Sequence, residues 1–324
     1  MNVLIIADPI EQLLPISDTG LLMLREAMKR GHQVHWCTPD DVFLWDGRPQ
    51  ARASRAQHCA PESLPTVDPQ PETMLLTAWD TIWIRKDPPF DTRYVDLCWL
   101  CSLVEDRVHF VNRPSLLIRH HEKLLPFQAV AQGIISAEEL IPTWLCSDLR
   151  RPPPDDFPEG PCVTKPWLGY GGTGVKKWDS LQQAVDFFAR QKSPEGDRSG
   201  QRDAIMFQPL LREVAHVGDR RVFYQDGQVR ANFVRLPREG DFVSNLAYGG
   251  TAVIRSITDK DRDISQRVGD FLAELGIVIA GLDVIDGRLS EVNITAPTGF
   301  QMLVQLGGPE LISEYVDMVE RQLG

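Results

Sequence analysis

The sequence predicts an α/β protein, with an amino-terminal parallel α/β domain followed by a carboxy-terminal mixed α+β region. Three observations carry that expectation. Strand-like and helix-like segments alternate through the first third, the pattern of a parallel sheet with helices on its faces. A stretch at 150–161, RRPPPDDFPEGP, then holds too many prolines for the interior of an element. Beyond it, short strands are joined by glycine turns. The 324 residues suit about two domains on the usual size prior.

In order, residues 2–7 form an apolar run that breaks at Asp8-Pro9. With no basic segment before it, this run is a first buried strand and not a secretory leader. Residues 18–29 have helical spacing, with Asp18 or Thr19 as N-cap and Gly31 as the stop, and 33–37 is a second strand. Residues 46–72 are polar and carry prolines, which marks an excursion or hairpin. Strands at 81–85 and 109–112 flank a helix at 91–104, and two helices follow at 114–123 and 126–132. After the proline-rich connector come strands at 161–165, 175–178 and 222–225 and helices at 180–191 and 259–275. Strands at 277–285 and 289–294 close the series. The segments 193–203 and 236–250 read as loops, the second a mobile lid.

Composition excludes several classes. The balance of 34 Lys+Arg against 45 Asp+Glu gives a net charge of −11, which disfavours a nucleic-acid or anionic-membrane surface. No run approaches the ~18 apolar residues of a spanning helix. Cys37, Cys59, Cys98, Cys101, Cys146 and Cys162 are scattered. Cys98 and Cys101 share an apolar helical stretch without a second pair or a nearby His, so they read as buried reduced thiols in a cytoplasmic protein.

The run Gly169-Tyr-Gly-Gly-Thr-Gly174 lies between two expected strands. A dinucleotide fingerprint needs a helix next, and a Walker loop needs Gly-Lys-Ser/Thr; neither is present. Strand, glycine loop and strand make either an ordinary hairpin or a flap whose backbone N–H groups fold over phosphates. Lys165, at the end of the first of these strands, can meet a phosphate oxygen.

Asp283, Glu291 and Asn293 form a second group. Glu291 and Asn293 are two apart, so a strand points both to one face. Two carboxylates and an amide oxygen suit Mg²⁺ shared with phosphates, the plainer alternative being solvent-facing strand carboxylates. A two-residue turn at Asp286-Gly287 would pair Ile285 with Arg288 and leave Asp283 and Glu291 on opposite faces. The metal reading therefore requires a three-residue loop or a bulge. Arg85, Arg221, Arg235 and Arg238 stand near turns, and arginine is the expected reader of substrate carboxylates. His120-His121 point about 100° apart on a helix, which argues against a metal pair. No Ser-His-Asp or Cys-His nucleophile set emerges.

These pieces, taken in order, resemble the bacterial glutathione synthetase family of the ATP-grasp superfamily. The likeness runs through 6–10 (IADPI), 85–91 (RKDPPFD), 112–115 (NRPS), Glu122-Lys123 and Lys165-Pro166 with its glycine loop. It continues through 208–210 (QPL), 218–221 (GDRR), 245–250 (NLAYGG), 281–285 (GLDVI) and 291–298 (EVNITAPT). The resemblance implies an ATP-grasp fold with subdomains at 1–122, 123–205 and 206–324, the middle one a lid. By match, Lys123, Lys165, Gly171 and Gly172 would meet ATP phosphates, and Gln208, Pro209, Leu210 and Leu211 the adenine. Asp283, Glu291 and Asn293 would hold Mg²⁺, or Mn²⁺ in its place. Arg85, Asp219, Arg221, Asn245, Thr298 and Gly299 would bind substrate, with Arg221, Arg235 and Asn293 serving catalysis. The implied reaction joins γ-glutamylcysteine to glycine through an acyl phosphate, releasing ADP and phosphate, in a homo-oligomer.

The substrate side departs from the family. Val243-Ser244 stands for Arg-Gly, Ala296 for Ser, Phe300-Gln301-Met302 for Ile-Arg-Glu, and Leu168 for an acidic residue. These differences open two further readings: a related ligase with another acyl donor or amine, and a nucleotide-binding regulator without ligase activity.

Overall fold

The structure is a computed structural model, and it describes residues 1–149, 151–190, 204–238, 244 and 249–324. The first sheet gathers β1 (Asn2–Ile6), β2 (Gln33–Cys37), β3 (Val42–Trp45), β4 (Arg48–His58), β5 (Thr66–Val67), β6 (Glu72–Leu75), β7 (Thr81–Ile84) and β8 (His109–Phe110). Its order is β3-β4-β2-β1-β7-β8, with β5 and β6 also pairing β4. β1 runs parallel to β2 and β7, and β7 to β8, whereas β3 to β6 add an antiparallel extension. The polar excursion is thus the β3–β4 hairpin with two short partners. α1 (Thr19–Lys29) is capped by Asp18, whose carboxylate accepts from Leu21 N at 2.8 Å. α2 (Thr92–Ser102) is capped in the same way by Asp91.

α3 (Pro114–Arg119) is shorter than its spacing predicts, whereas α4 (Leu125–Ala131) lies close to its expected place. The turn between them brings Glu122 and Lys123 to the third sheet, where the carbonyl of Glu122 accepts from Val292 N at 3.1 Å. The second sheet, entirely antiparallel, has the order β11-β10-β12-β9. It comprises β9 (Trp144–Cys146), β10 (Cys162–Pro166), β11 (Lys176–Trp178) and β12 (Ile205–Pro209), with α5 (Leu181–Arg190) alongside. α6 (Val214–Val217) leads to the third sheet, also antiparallel, of order β15-β14-β13-β16-β17. Its strands are β13 (Asp219–Gln225), β14 (Gln228–Leu236), β15 (Thr251–Val253), β16 (Ile279–Ile285) and β17 (Arg288–Asn293). α7 (Asp259–Glu274), α8 (Phe300–Gln305) and α9 (Leu311–Leu323) complete the chain.

Apolar burial joins the first and third sheets. One cluster packs Leu4, Ile6, Ile84 and α2 against Val222, Leu282 and Val292; another packs Val3, Ile5 and α1 against Phe223, Phe300 and Tyr315. The second sheet has a small core of its own, around Cys146, Cys162, Ala184, Val185 and Phe207. Asn112 bolts the first and third sheets together. Its Nδ2 donates to Ile279 O and Ile294 O, both at 2.8 Å, and its Oδ1 accepts from Val278 N and Ile279 N at 2.8 and 3.1 Å.

All the cysteines are unpaired. Burial pushes the Cys98 thiol up to about 12, so the Cys98/Cys101 pair is inert. Among the described residues no helix is long and apolar enough to cross a membrane. The loop expected at 193–203 and most of that at 236–250, including Asn245 and Val243, lie outside the described residues.

Candidate active site

The third sheet sets charged side chains in a row. Arg221 on β13 lies opposite Asp283 on β16, and Asp283 lies opposite Glu291 on β17. Asp286-Gly287 is a two-residue turn, with Ile285 opposite Arg288, but the register slips between Asp283 and Val284. Val284 faces Leu289 while Asp283 faces Glu291, which leaves Ser290 as the extra residue of a bulge. That bulge brings both carboxylates to one face.

Arg221 donates from Nε and Nη2 to the two Asp283 oxygens at 2.7 and 3.2 Å, and from Nη1 to Thr298 O at 2.9 Å. Gly281 leaves room for this guanidinium, since a Cβ there would lie 3.1 Å from Arg221 Cδ. Arg235, opposite Asp219 on β13, pairs with Asp219 at 2.5 Å and with Asp283 at 2.9 Å. Asn293 Nδ2 donates to Asp283 Oδ2 at 3.3 Å. Burial pushes the Asp283 carboxyl up, but Arg221 and Arg235 outweigh it and hold the group down at about 2. Asp219 goes the other way: burial, helped by the Asp283 charge, lifts it to about 6.

Lys123 approaches from the turn before α4. Its Nζ lies 3.1 Å from Glu291 Oε1 and also donates to Gly169 O in the glycine loop. Among the described residues no carboxylate reaches ion-pair distance of Lys165, and burial lowers its pKa despite the pull of Glu291. β10 and β11 pair antiparallel on either side of the glycine loop, the topology of a flap. Gly171, Gly172 and Gly174 have φ of 62°, 85° and 74°, and a Cβ on Gly174 would lie 2.8 Å from Pro166 Cγ. His121 stacks between Phe90 and Trp167 at centroid distances of 5.1 and 5.0 Å. Burial drops its pKa to about 4, so the ring is neutral. His120 Nδ1 contacts Gln128 Oε1 at 2.9 Å.

Glu122 is a residue whose place in the site sequence reasoning missed. It is 6% exposed, accepts from Thr295 Oγ1, and is pushed up to about 7 by burial and by the neighbouring Glu291. The Glu122-Lys123 segment belongs to the family resemblance, but the partner of Glu122 lies 173 positions away, so its buried hydrogen bond is not readable locally. Arg85, 7% exposed, donates from Nη2 to Pro297 O at 2.9 Å, one carbonyl before the Arg221 acceptor. Gln208 is buried, and its Nε2 donates to Thr143 Oγ1 at 2.8 Å, so that side chain is already engaged inside the second sheet's layer. Pro209 ends β12, and Leu210 N then donates to Pro161 O at 2.9 Å, with Leu211 following. Thr298 is exposed, and Gly299 caps α8 with φ of 102°. Of the departures, Ala296 is buried, Met302 packs on the core, Leu168 lines a cleft with Phe90 and Trp99, and Gln301 Oε1 is buried without a partner.

The side chains present fit a divalent cation. Asp283, Glu291 and Asn293 are hard oxygen donors on one face of adjacent strands. Among the described residues no trio of His, Cys, Asp or Glu gathers, here included, so a cation would rest on two carboxylates and the amide. Two carboxylates and an amide leave the rest of an octahedral shell to phosphate and water, as Mg²⁺ prefers. Crowding alone does not demand the metal, because Arg221, Arg235 and Lys123 already balance these carboxylates.

Comparison with known proteins agrees in both halves. Residues 1–118 match the family model of the prokaryotic glutathione synthetase N-terminal domain, and residues 156–308 that of its ATP-grasp domain. Glutathione synthetase from Rhodopseudomonas palustris is 30% identical over 321 residues, covering 99% of this chain and 98% of that protein. The Gloeobacter violaceus glutathione synthetase is 33% identical over 328 residues, covering 98% and 96%. Among solved structures, D-cycloserine synthetase DcsG aligns with a TM-score of 0.65 at 16% identity over 100% of both chains. The D-alanine–D-alanine ligase from Bacillus anthracis complexed with ATP aligns with a TM-score of 0.59 at 15% identity, covering 99% and 96%. These two likenesses show the ATP-grasp fold. With family models matching both halves and relatives aligned end to end, the chain belongs to the prokaryotic glutathione synthetase family of ATP-dependent ligases.

Proposed function

We propose that the chain makes glutathione from γ-glutamylcysteine and glycine at the expense of ATP. The observation that carries this reading is the convergence of Lys123, Arg221 and Arg235 on Asp283 and Glu291 beside a glycine flap. Phosphoryl transfer to a carboxylate requires charge neutralisation and in-line positioning more than a covalent nucleophile. In the first step a cysteinyl carboxylate oxygen attacks the γ-phosphorus, and ADP leaves with the electrons of the broken P–O bond. In the second, the glycine nitrogen, as free amine, attacks the acyl carbon; phosphate departs, and the extra proton on nitrogen passes to solvent.

Arg221 and Arg235 neutralise the transferring phosphoryl group and the developing oxyanion. Lys123 exchanges Gly169 O for a phosphate oxygen, and Lys165 adds a second cation. Mg²⁺ held by Asp283, Glu291 and Asn293, with Mn²⁺ as a substitute, offsets phosphate charge when bound. The flap then excludes water from the acyl phosphate. In this reading 1–122, 123–205 and 206–324 act as substrate-binding, lid and catalytic subdomains. Arg85, Thr298 and Gly299 hold the peptide with Asn245, Asp219 braces Arg235, and residues 208–211 flank the adenine. The unpaired cysteines suit the cytoplasm, and a homo-oligomer is expected.

The test is ADP release with ATP, Mg²⁺ and γ-glutamylcysteine, with and without glycine, and mass detection of the product. Glycine-dependent turnover to glutathione supports the reading. Turnover only with another donor or amine would move the chain to a related ligation.

A further inference from the structure

The turn between α3 and α4, residues 120–124, touches all three layers of the fold. Glu122 joins it to the third sheet, through Thr295 Oγ1 and Val292 N. Lys123 reaches the charged row at Glu291 and the glycine loop at Gly169 O. His121 makes a third connection, to the base of that loop. Its ring stands between Phe90 and Trp167, edge-on to the first with planes 79° apart and tilted by 35° against the second. Phe90 in turn lies 5.3 Å from the ring of Tyr94, a buried residue of α2 in the core that the first and third sheets share. Four rings thus run without a break from that core to the glycine loop.

Both ends of the contact are fixed by the backbone. Trp167 and Leu168 stand at the corner of a turn that Gly169 N closes on Pro166 O at 3.1 Å. Trp167 N donates to Ala204 O at 2.9 Å, which ties the corner to the approach of β12. Leu168 shares with Phe90, Val95 and Trp99 the walls of a cleft of about 300 Å³, so its seat against α2 is only partly filled. The ring stack is the filled part of that seat. On the other side, the carbonyl of His121 accepts from Leu124 N and Leu125 N at 2.8 and 3.0 Å, where α4 begins. Its Nδ1 accepts from Lys123 N at 3.3 Å, which orients the ring. Burial and the adjacent Lys123 charge keep the imidazole neutral, so it packs as a flat ring without adding a second cation beside Lys123.

We propose that His121 is a positioning residue for the glycine flap. Its ring, held between Phe90 and Trp167, seats the base of the flap so that the loop closes over the ATP phosphates beside the charged row. Removing the middle ring releases Trp167 from the first sheet's layer and leaves the strand pairings and the carboxylates of the row in place. ATP then binds more weakly, and water reaches the acyl phosphate more often.

Two readouts on the full chain test this. The first is calorimetric binding of β,γ-imido-ATP with Mg²⁺, which rests on ATP as substrate alone. The second is the ratio of ADP released to glutathione formed, which rests on the function proposed above. His121→Ala should weaken the nucleotide by about three- to tenfold, the worth of an aromatic pair, and raise the ratio above that of wild type. A purely structural loss would lower ADP and glutathione together and leave the ratio unmoved. His121→Phe, which keeps a ring but not the Nδ1 acceptor, should stay near wild type in both readouts. His121→Asn, which keeps an acceptor but not the ring, should behave as the alanine variant does. Trp167→Ala removes the same contact from the loop's side and should give the same shifts, with the double variant no worse than either single one. Wild-type binding and ratio in both His121→Ala and Trp167→Ala, or equal damage in His121→Phe and His121→Ala, overturns the proposal. If wild type forms no glutathione, the proposed function falls, and nucleotide binding still decides the role of His121.

Discussion

Glu291 carries one cationic partner, Lys123, whereas Asp283 carries Arg221 and Arg235. The two carboxylates therefore answer different questions when mutated. Removing Asp283 would strand two buried guanidinium groups, at a cost of about 3–5 kcal/mol, and would confuse folding with function. Glu291, with a quarter of its side chain exposed, is the cleaner probe of the metal assignment. Glu291→Gln keeps the shape and the strand pairing and removes only the charge. Its melting temperature should stay near wild type while kcat falls by about 10²–10³, the scale of losing one electrostatic contact to a transition state. Circular dichroism melts and steady-state ADP release check this together. Near-normal turnover would remove Glu291 from the metal site.

At the scale of elements, the flap between β10 and β11 depends on glycines that no other residue replaces. Gly174 has φ of 74° and would place a Cβ 2.8 Å from Pro166 Cγ. Gly174→Ala should displace the loop end while sparing the cores, since none of its contacts are part of them. The KM for ATP should rise about tenfold, as for a misplaced positioning element, with little change in melting temperature. Unchanged ATP kinetics would mean that the loop does not close over the phosphates. Much of this element was legible in the sequence, because glycines flanked by alternating residues specify a turn locally. The bulge was legible only as a requirement: the Asp286-Gly287 turn fixed one register, and the two carboxylates needed another. The end of α3 at Arg119 was not legible, because helical spacing continued to Lys123 while Val292 and Gly169 drew that turn into the site. The partners of Arg221, Glu122 and Arg85 lie 62, 173 and 212 positions away, so only strand pairing and packing reveal them.

In the whole molecule, the first and third sheets share two apolar clusters and the Asn112 bridge, whereas the second sheet relies on its own small core. A layer with few shared apolar contacts can hinge over a rigid base, as the lid role proposed for it requires. Arg221 on the third sheet and Arg85 beside the first donate to the same segment, at Thr298 O and Pro297 O. In the proposed function, a peptide held beside this segment presents its reacting carboxylate to the row. The proposed function turns on activation of this carboxylate as an acyl phosphate. The most direct measurement is oxygen transfer: γ-glutamylcysteine labelled with ¹⁸O in the cysteinyl carboxylate is turned over with ATP, Mg²⁺ and glycine, and the released phosphate is weighed by mass spectrometry. Each phosphate formed alongside glutathione should carry one ¹⁸O. Phosphate free of label, with product still accumulating, would contradict it.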